Sequence, residues 1–214
     1  MRTIEQFRDR LLEDLRRALE HPAMFGGNAG GVEQYFRNVL DDLSFIDERE
    51  KELAALQETL LTGSYGVNGQ FFYQELFELD YINEVTSVYA QAAYVLGFFQ
   101  PSRLLSKSEL VDLRQSIDHV FLSNDHTLKE VEANFGPTSI EIGCRHTWVG
   151  CYACTDRNEN WVFFDFFRQL PRTDPSTFVW FDSPRLRNVR LDRNKMLLVP
   201  FGASLAKPVL RPEP

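Results

Sequence analysis

The sequence predicts an α+β protein, in which a helical N-terminal part is followed by a short helix and an antiparallel β-sheet. Through residues 1–122, apolar residues recur at spacings of three and four, which is the period of amphipathic helices. After Asn124 the pattern changes to short runs rich in Val, Ile, Phe, Tyr and Trp, bounded by Gly, Pro, Asn or Asp. We therefore expect a mainly helical region, 1–122, and an α+β region, 123–214, either as separate domains or as one continuous domain.

The helical region contains several amphipathic segments. Thr3 and Gln6 predict a capping box at the start of the first helix, and a glycine-rich break separates that helix from the second. Further helices are expected at about 47–61, 70–79, 81–98 and 108–121. The first apolar stripe comprises Ile4, Phe7, Leu11, Leu12, Leu15 and Leu19, and the second comprises Val32, Tyr35, Phe36, Val39, Leu40 and Leu43.

A short helix, TLKEVEANFG, opens the α+β region. Thr127 and Glu130 predict its capping box, and Gly136 with Pro137 predicts its end. The expected strands are SIEIG, TWVGCYACT, NWVFFDFF, STFVWFD and KMLLVPFG. Because a parallel crossover needs a dozen or more residues, the short spacing of these strands favours an antiparallel meander.

Residues 125–168 resemble a known two-layer repeat. The order TLKEVEANFGPTS followed by aromatic-rich strands is similar to the β-lactamase-inhibitor-protein-like and SmpA/OmlA families, in which a short helix leads into an antiparallel sheet. The resemblance implies a sheet that binds protein partners and no enzymatic activity. The sequence departs from the secreted members of those families, because we find no signal or lipoprotein sequence in it.

Charge and apolar content disfavour two classes of function, nucleic-acid binding and membrane association. The formal net charge of -8 disfavours general nucleic-acid binding, which needs clustered lysine and arginine. The longest apolar run, Tyr89 to Phe99, is shorter than the about 20 residues of a membrane span, so we predict no membrane association. The N-terminal segment does not have the apolar core of a secretory signal. The number of cysteines is odd, so they cannot all pair within the chain. Both observations favour a cytoplasmic location.

The segment 171–214 is richer in basic than in acidic residues. Two interpretations remain open: the segment lies against acidic helices of its own chain, or it forms an anion-binding face. Its basic residues are Arg172, Arg185, Arg187, Arg190, Arg193, Lys195, Lys207 and Arg211.

The stretch GCRHTWVGCYAC, residues 143–154, allows a zinc site, a nucleophilic cysteine beside His146 or His126, or buried structural cysteines. The potential zinc ligands are Cys144, His146, Cys151 and Cys154. If residues 147–155 form a strand, Cys151 and Cys154 point to opposite faces and cannot share one metal. We therefore favour structural cysteines, and we expect neither a metal nor any other cofactor.

The glycine-rich stretch HPAMFGGNAGG, residues 21–31, joins two predicted helices. Backbone N–H groups at such a helix start can bind an anion, but no lysine follows as in a P-loop. A helix–helix turn is favoured, and a ligand or partner loop that includes Gly26 and Gly27 is the alternative.

The stretch FYQELFELDYINE carries two pairs of acids. Glu75 and Glu78 are three residues apart, and Asp80 and Glu84 are four apart, so each pair lies on one helical face. These acids form either a solvated face or an acidic patch for a basic partner.

We predict a non-catalytic, cytoplasmic protein that binds another protein, of basic character, as an inhibitor or a toxin-immunity factor does. The predicted partner-binding residues are Glu75, Glu78, Asp80, Glu84, Trp161 and Phe163. The alternative is an enzyme or small-molecule binder with a cleft between the helical and sheet halves. Its candidate ligand site comprises Cys144, His146, Asp165, Gly26 and Gly27.

Overall fold

Helices build the first part of the structure, and a five-stranded sheet with helices on one face builds the second. The computed structural model describes residues 3–59, 81–120, 126–144, 146–171, 178–192 and 195–198, so the predicted helix at 70–79 lies outside the described residues. The chain divides into two compact units, 1–100 and 101–214. The α+β class is confirmed, whereas the boundary lies earlier than the predicted one at residue 122.

The first unit contains helices α1 (Ile4–Glu20), α2 (Ala29–Ile46), α3 (Glu50–Thr59) and α4 (Ile82–Val95), with a 3-10 turn at Pro22–Met24. Helix α2 packs against α1, α3 and α4. The apolar residues that these helices bury include Leu11, Leu15, Leu19, Val32, Phe36, Leu40, Leu43, Leu53, Val85 and Tyr89. The spacing of three and four therefore marks the buried face of α2 and, from Leu11 onward, that of α1.

Side-chain caps fix where these helices begin. Gln6 N–H donates to the Thr3 hydroxyl, and Thr3 N–H donates to the Gln6 side chain, each at 3.2 Å, which confirms the predicted capping box. The Asn28 side-chain oxygen accepts from Gly31 N–H at 2.8 Å and caps α2.

The second unit contains helices α5 (Lys107–Val120) and α6 (Leu128–Phe135) and five strands. The strands are β1 (Ile140–Cys144), β2 (Thr147–Tyr152), β3 (Val162–Pro171), β4 (Phe178–Asp192) and β5 (Lys195–Leu198). Every neighbouring pair is antiparallel and the order is β1-β2-β3-β4-β5, so the predicted meander is confirmed. The Thr127–Glu130 capping box of α6 is also present.

One face of the sheet and two helices form the main apolar core of the second unit. Leu110, Leu113 and Ile117 of α5 and Val131 of α6 belong to this core. The sheet contributes Tyr152, Val162, Phe164, Phe166, Leu186, Val189 and Leu191. Because α5 buries its apolar side in the core of the sheet, it belongs to the second unit, and this is why the boundary precedes residue 107.

The opposite face of the sheet carries the residues of alternate positions. We call it the Asp165 face, and from β2, β3 and β4 it includes Thr147, Val149, Cys151, Phe163, Asp165, Phe167, Asn188 and Arg190. All of these residues are buried.

Strand β4 is longer than its sequence predicts. The predicted strand STFVWFD ends at Asp182, whereas β4 continues through Pro184 to Asp192. Ser183 and Pro184 are turn-forming residues, but the pairing with β3 accommodates them in an irregular stretch between Arg185 and Trp180. Within the described residues, none of the helices is both long enough and apolar enough to cross a membrane.

Candidate functional site

Three polar side chains meet on the Asp165 face. Asp165 interrupts the aromatic run of β3 and pairs with Val149 on β2 and Asn188 on β4. Arg190 pairs with Phe163, two residues from Asp165 along β3. Since residues two apart in a strand share a face, the sheet brings Asp165, Asn188 and Arg190 together.

The Asp165 carboxylate accepts hydrogen bonds from both neighbours. Arg190 donates from Nη2 to Oδ1 at 2.8 Å and from Nε to Oδ2 at 2.9 Å, and Asn188 Nδ2 donates to Oδ2 at 2.7 Å. The exposed fraction of all three residues is 0%. Buried charges are tolerated only when they are paired and hydrogen-bonded, and this pair meets both conditions. The arrangement therefore neutralises Asp165 inside the fold.

A β-bulge in β4 concentrates polar side chains on this face. The consecutive residues 165–166 of β3 face Asn188 and Leu186, so Arg187 is an extra residue in β4. The Arg187 guanidinium carbon lies 4.8 Å from the centroid of the Phe167 ring, and this places Arg187 on the Asp165 face beside Asn188. The bulge therefore lets two consecutive residues point to the same side.

Aromatic contact completes the environment of Arg190. Its guanidinium carbon lies 4.4 Å from the centroid of the Phe163 ring, on the neighbouring strand. Arg190 therefore pairs with Asp165 within the sheet. The predictions for Arg172, Arg193, Lys207 and Arg211 concern residues outside the described ranges.

The three cysteines, all within the described residues, form no disulfide. Cys151 is buried on the Asp165 face, whereas Cys154 lies in the apolar core of the opposite face, so their predicted divergence is confirmed. Burial raises the pKa of the Cys151 thiol well above its ordinary value; Arg190 opposes this shift and Asp165 adds to it. A thiol held in its protonated form is a poor nucleophile and a poor metal ligand.

Of the predicted ligand residues of the second unit, Cys144 and Asp165 do not converge. Cys144 is half-buried at the end of β1, and exposed His146 lies in the β1–β2 turn, where its carbonyl accepts from Arg168 N–H at 2.8 Å. Asp165 lies two strands from β1, a separation of roughly 10 Å at the usual strand spacing. Cys144 and Asp165 are therefore too far apart to act on the same atom.

The two glycines of the predicted ligand loop differ in their surroundings. A Cβ atom at Gly26 would lie 2.3 Å from Val32 N and 2.6 Å from the carbonyl carbon of Gly31, so this loop approaches the start of α2 too closely for a side chain. A Cβ atom at Gly27 would meet no atom within 4 Å. Close packing against α2 therefore accounts for Gly26, in a turn between two helices.

The predicted partner-binding residues are not at the surface where the structure describes them. Glu84 is buried on α4, so the predicted solvated acidic face does not extend to it. Trp161 and Phe163 are also buried, with exposed fractions of 1% and 5%, and their rings pack 6.2 Å apart between centroids. The aromatic side chains of Trp161 and Phe163 therefore pack inside the fold. Glu75, Glu78 and Asp80 lie outside the described residues.

A buried acid on α2 was not identified from the sequence. Glu33 has an exposed fraction of 4%, and the Tyr89 hydroxyl of α4 donates to its Oε1 at 3.5 Å. Tyr89 also stacks on Phe36, with ring centroids 5.4 Å apart. Burial raises the pKa of the Glu33 carboxyl to about 7, and nearby Arg37 limits the shift. Glu33 therefore changes charge near neutral pH.

Exposed apolar side chains mark one end of the α1–α2 pair. Arg8 Nε and Nη2 donate to the two carboxylate oxygens of Asp47, each at 2.7 Å, which places the N-terminal end of α1 beside the C-terminal end of α2. The exposed fractions at this end of α1 are 73% for Ile4 and 44% for Phe7, and we call these two residues the end patch. Phe45 is 74% exposed on the solvent side of α2, opposite buried Leu43.

The end patch arises because the apolar stripe of α1 continues past its partner helix. Leu11, Leu15 and Leu19 on this stripe are buried, whereas Ile4 and Phe7 are not. Helix α2 ends at Ile46, level with Arg8, so the first turn of α1 extends past it. The periodicity alone predicted burial for the whole stripe.

The turn after α2 has an unusual residue at its tightest position. Arg49 N–H donates to Ser44 O at 2.7 Å, as in a Schellman motif, and Glu48 adopts the left-handed conformation with φ 55°. Glycine is the usual residue at this position, because a side chain there is strained. Glu48 is exposed, so its carboxylate is presented to solvent beside the end patch.

No group of three or more potential metal ligands from His, Cys, Asp and Glu occurs within the part of the chain that the structure describes. Comparison with known proteins finds no family model, no curated protein and no solved structure that matches this chain.

Proposed function

We propose that this chain is a non-catalytic, cytoplasmic protein that binds another protein, as an inhibitor or a toxin-immunity factor does. The observation that carries the proposal is the end patch, where Ile4 and Phe7 are 73% and 44% exposed although they continue the apolar stripe of α1. Large apolar and aromatic side chains at the surface are typical of protein interfaces.

The state of the polar groups supports binding over catalysis. A catalytic carboxylate needs a free oxygen and a thiol nucleophile needs a lowered pKa. Both oxygens of Asp165 accept hydrogen bonds from Arg190, and burial raises the pKa of Cys151. These groups are suited to holding the sheet together.

The reduced state of the cysteines supports the cytoplasmic location. Three cysteines without a disulfide fit a reducing compartment, where such thiols persist.

Affinity purification of the full chain from its native host tests this proposal. We expect one stoichiometric protein, which is then produced separately and shown to bind the purified chain with a defined stoichiometry. Purification that recovers no such protein, or a bound small molecule instead, would contradict the proposal.

A further inference from the structure

We propose that the outer edge of β1 binds an extended segment of another protein, which joins the sheet as an additional strand and presents a basic side chain to Glu141 and Glu132. This inference rests on the proposed function, because a partner protein supplies the segment, and it names a surface that the end patch does not include.

Strand β1 has a neighbouring strand on one side only, so its other side is an edge of the described sheet. The His146 carbonyl accepts from Arg168 N–H, so even-numbered residues of β2 bond to β3 and odd-numbered residues bond to β1. The β1 partners of these odd-numbered residues are Ile140, Ile142 and Cys144. The backbone N–H and C=O groups of Glu141 and Gly143 therefore point outward, away from β2.

The chain itself covers only the beginning of this edge. The N–H and hydroxyl groups of Ser102 donate to the Ser139 carbonyl at 3.0 and 2.9 Å, immediately before β1. Among the residues that the structure describes, none forms a hydrogen bond with the outward groups of Glu141 and Gly143. Outward N–H and C=O groups on an edge strand are a template for pairing with another chain. The edge is therefore open from Glu141 onward.

A half-buried tryptophan lies beside the open part of the edge. Gly143 pairs with Trp148 on β2, and Glu141 lies two residues along β1 on the same face. Glu141 and Trp148 are therefore diagonal neighbours. A Cβ atom at Gly143 would lie 2.5 Å from the Trp148 ring, so the indole contacts the Gly143 backbone. Because Glu141 is exposed and Trp148 is half-buried, an added strand can reach both side chains.

Two carboxylates lie on this side of β1. Glu132 of α6 accepts from Thr138 N–H at 3.1 Å, close to the start of the strand. Burial raises the pKa of the Glu141 carboxyl, and the charge of Glu132 raises it further. Within the described residues, none of the ion pairs includes either acid. A lysine or arginine beside Glu141 would offset this repulsion and could rest its apolar stem on Trp148.

The basic residues nearest to these acids leave the position opposite Glu141 vacant. Arg103 donates from Nη1 to the carbonyls of Phe135 and Pro137 at 2.6 and 2.8 Å. Lys129 is exposed on α6, one turn before Glu132, and it forms no ion pair with Glu132. Arg168 follows the third strand of the order at the turn end, and Arg145 lies outside the described residues.

Charge selects the occupant of the edge. Antiparallel pairing of two copies of β1 centred on Ile142 would place Glu141 of each copy diagonally opposite that of the other, on the same face. Like charges at such positions disfavour this self-pairing. An extended segment with a lysine or arginine opposite Glu141 supplies the opposite charge, and its backbone pairs with the outward groups of β1. A basic protein segment therefore matches both features of the edge.

Binding of synthetic peptides to the full chain tests the inference. The probe is a short peptide of alternating threonine and valine with a central lysine, and glutamate replaces the lysine in a comparison peptide. Two further lysine peptides carry N-methyl groups on alternate amides, one peptide on the odd-numbered and the other on the even-numbered residues. Fluorescence anisotropy of the labelled peptides measures the affinity.

We expect the lysine peptide to bind the wild type at least about tenfold more tightly than the glutamate peptide, with an affinity that salt decreases. One of the two N-methylated peptides should lose binding and the other should keep it, because alternate N–H groups of an added strand face its neighbour. Loss of binding by both peptides, or by neither, would contradict backbone pairing at the edge.

Variants locate the binding. Glu141→Lys should weaken binding of the lysine peptide by about tenfold or more and strengthen binding of the glutamate peptide. Asp112→Lys makes the same charge change at an exposed position of α5 and should leave both affinities nearly unchanged. Circular dichroism identifies a variant that fails to fold. The N-methylated peptides need only the wild type, so the test remains decisive if Glu141→Lys does not fold.

The outcomes separate this inference from the proposed function. Equal affinity in the wild type and Glu141→Lys, or no binding of the lysine peptide by the wild type, would overturn the edge of β1 as the site. A wild-type dimer that the lysine peptide dissociates would identify a second copy as the occupant and overturn it as well. If peptide binding fails while recovery of a native partner depends on Phe7, the proposed function stands and this inference alone fails.

Discussion

Arg190 on β4 holds Asp165 on β3 through two hydrogen bonds of 2.8 and 2.9 Å between fully buried side chains. This relationship decides how the most polar part of the sheet is interpreted. A carboxylate in a sheet suggests a catalytic or ligand-binding group, but one whose oxygens are occupied by arginine and asparagine is part of the structure.

Breaking the Asp165–Arg190 pair is expected to cost much more than replacing it. Asp165→Leu leaves a buried guanidinium without its carboxylate and should lower the free energy of unfolding by about 3–5 kcal/mol. Asp165→Leu with Arg190→Met should recover much of this loss, because no unpaired charge remains. Urea unfolding measures both, and the exposed pair Arg16–Glu20 provides the control, since Glu20→Gln should cost about 0.5 kcal/mol or less. Equal costs for the single and double variants would contradict the structural role.

Glu33 is expected to make stability depend on pH near neutrality. Its pKa rises from an ordinary 4.5 to about 7, so the folded state retains a proton that the unfolded state releases between these values. The contribution of Glu33 to the free energy of unfolding is therefore fully present below pH 4.5. It is lost as the pH rises through 7, and the loss is about 3 kcal/mol at most. Glu33→Gln should be more stable than the wild type at pH 8 and nearly equal to it at pH 4. A pH-independent difference between the two proteins would exclude this role.

The adjacent glycines provide a matched pair of substitutions. Gly26→Ala forces a methyl group against backbone atoms of Gly31 and Val32 and should destabilise the fold by about 1–3 kcal/mol. Gly27→Ala points into open space and should change the free energy of unfolding by about 0.5 kcal/mol or less. Thermal unfolding compares the two. A large loss at Gly27 would indicate a requirement that packing does not explain.

The cysteines are expected to react in the order of their burial. In the native protein a thiol-specific chromophoric disulfide should label half-buried Cys144 first, and Cys151 and Cys154 only after unfolding. Cys151→Ser should cost about 1–3 kcal/mol, because it places a hydroxyl in a site that suits a thiol. Elemental analysis of protein purified without chelator should find well under one zinc per chain. Stoichiometric zinc that is lost with the fold in Cys151→Ser would overturn the strand geometry given for Cys151 and Cys154.

Much of the fold follows from local patterns. The capping residues Thr3 and Thr127 and the alternation along β2 correctly predicted where elements begin and which way side chains point, because these features depend on neighbouring residues. The end of β4 could not be predicted from local patterns. Ser183 and Pro184 favour a turn, but the sheet includes them in an irregular pairing. Local propensity was overridden there by tertiary pairing.

The site was less predictable than the fold. Asp165 was a candidate from the sequence, but its partners Asn188 and Arg190 depend on strand register and on the bulge at Arg187, which no local pattern specifies. The acid within the run NWVFFDFF and the bases in LRNVRL were the available signals, because a buried acid in a strand requires a buried donor. Likewise, the apolar stripe of α1 does not specify the length of α2. It therefore could not indicate that α2 ends level with Arg8 and leaves Phe7 exposed.

The central claim is that this chain acts by binding a protein at the end patch, and the amount of native partner recovered per chain tests it most directly. Tagged wild type, Phe7→Ser and a control, Val111→Ser, which removes an apolar side chain that is 40% exposed on α5, are purified in parallel from the native host. The partner-to-chain ratio is determined by quantitative mass spectrometry. The account predicts a ratio near one for the wild type and Val111→Ser, and a clear decrease for Phe7→Ser. A wild type that recovers no stoichiometric partner would contradict it.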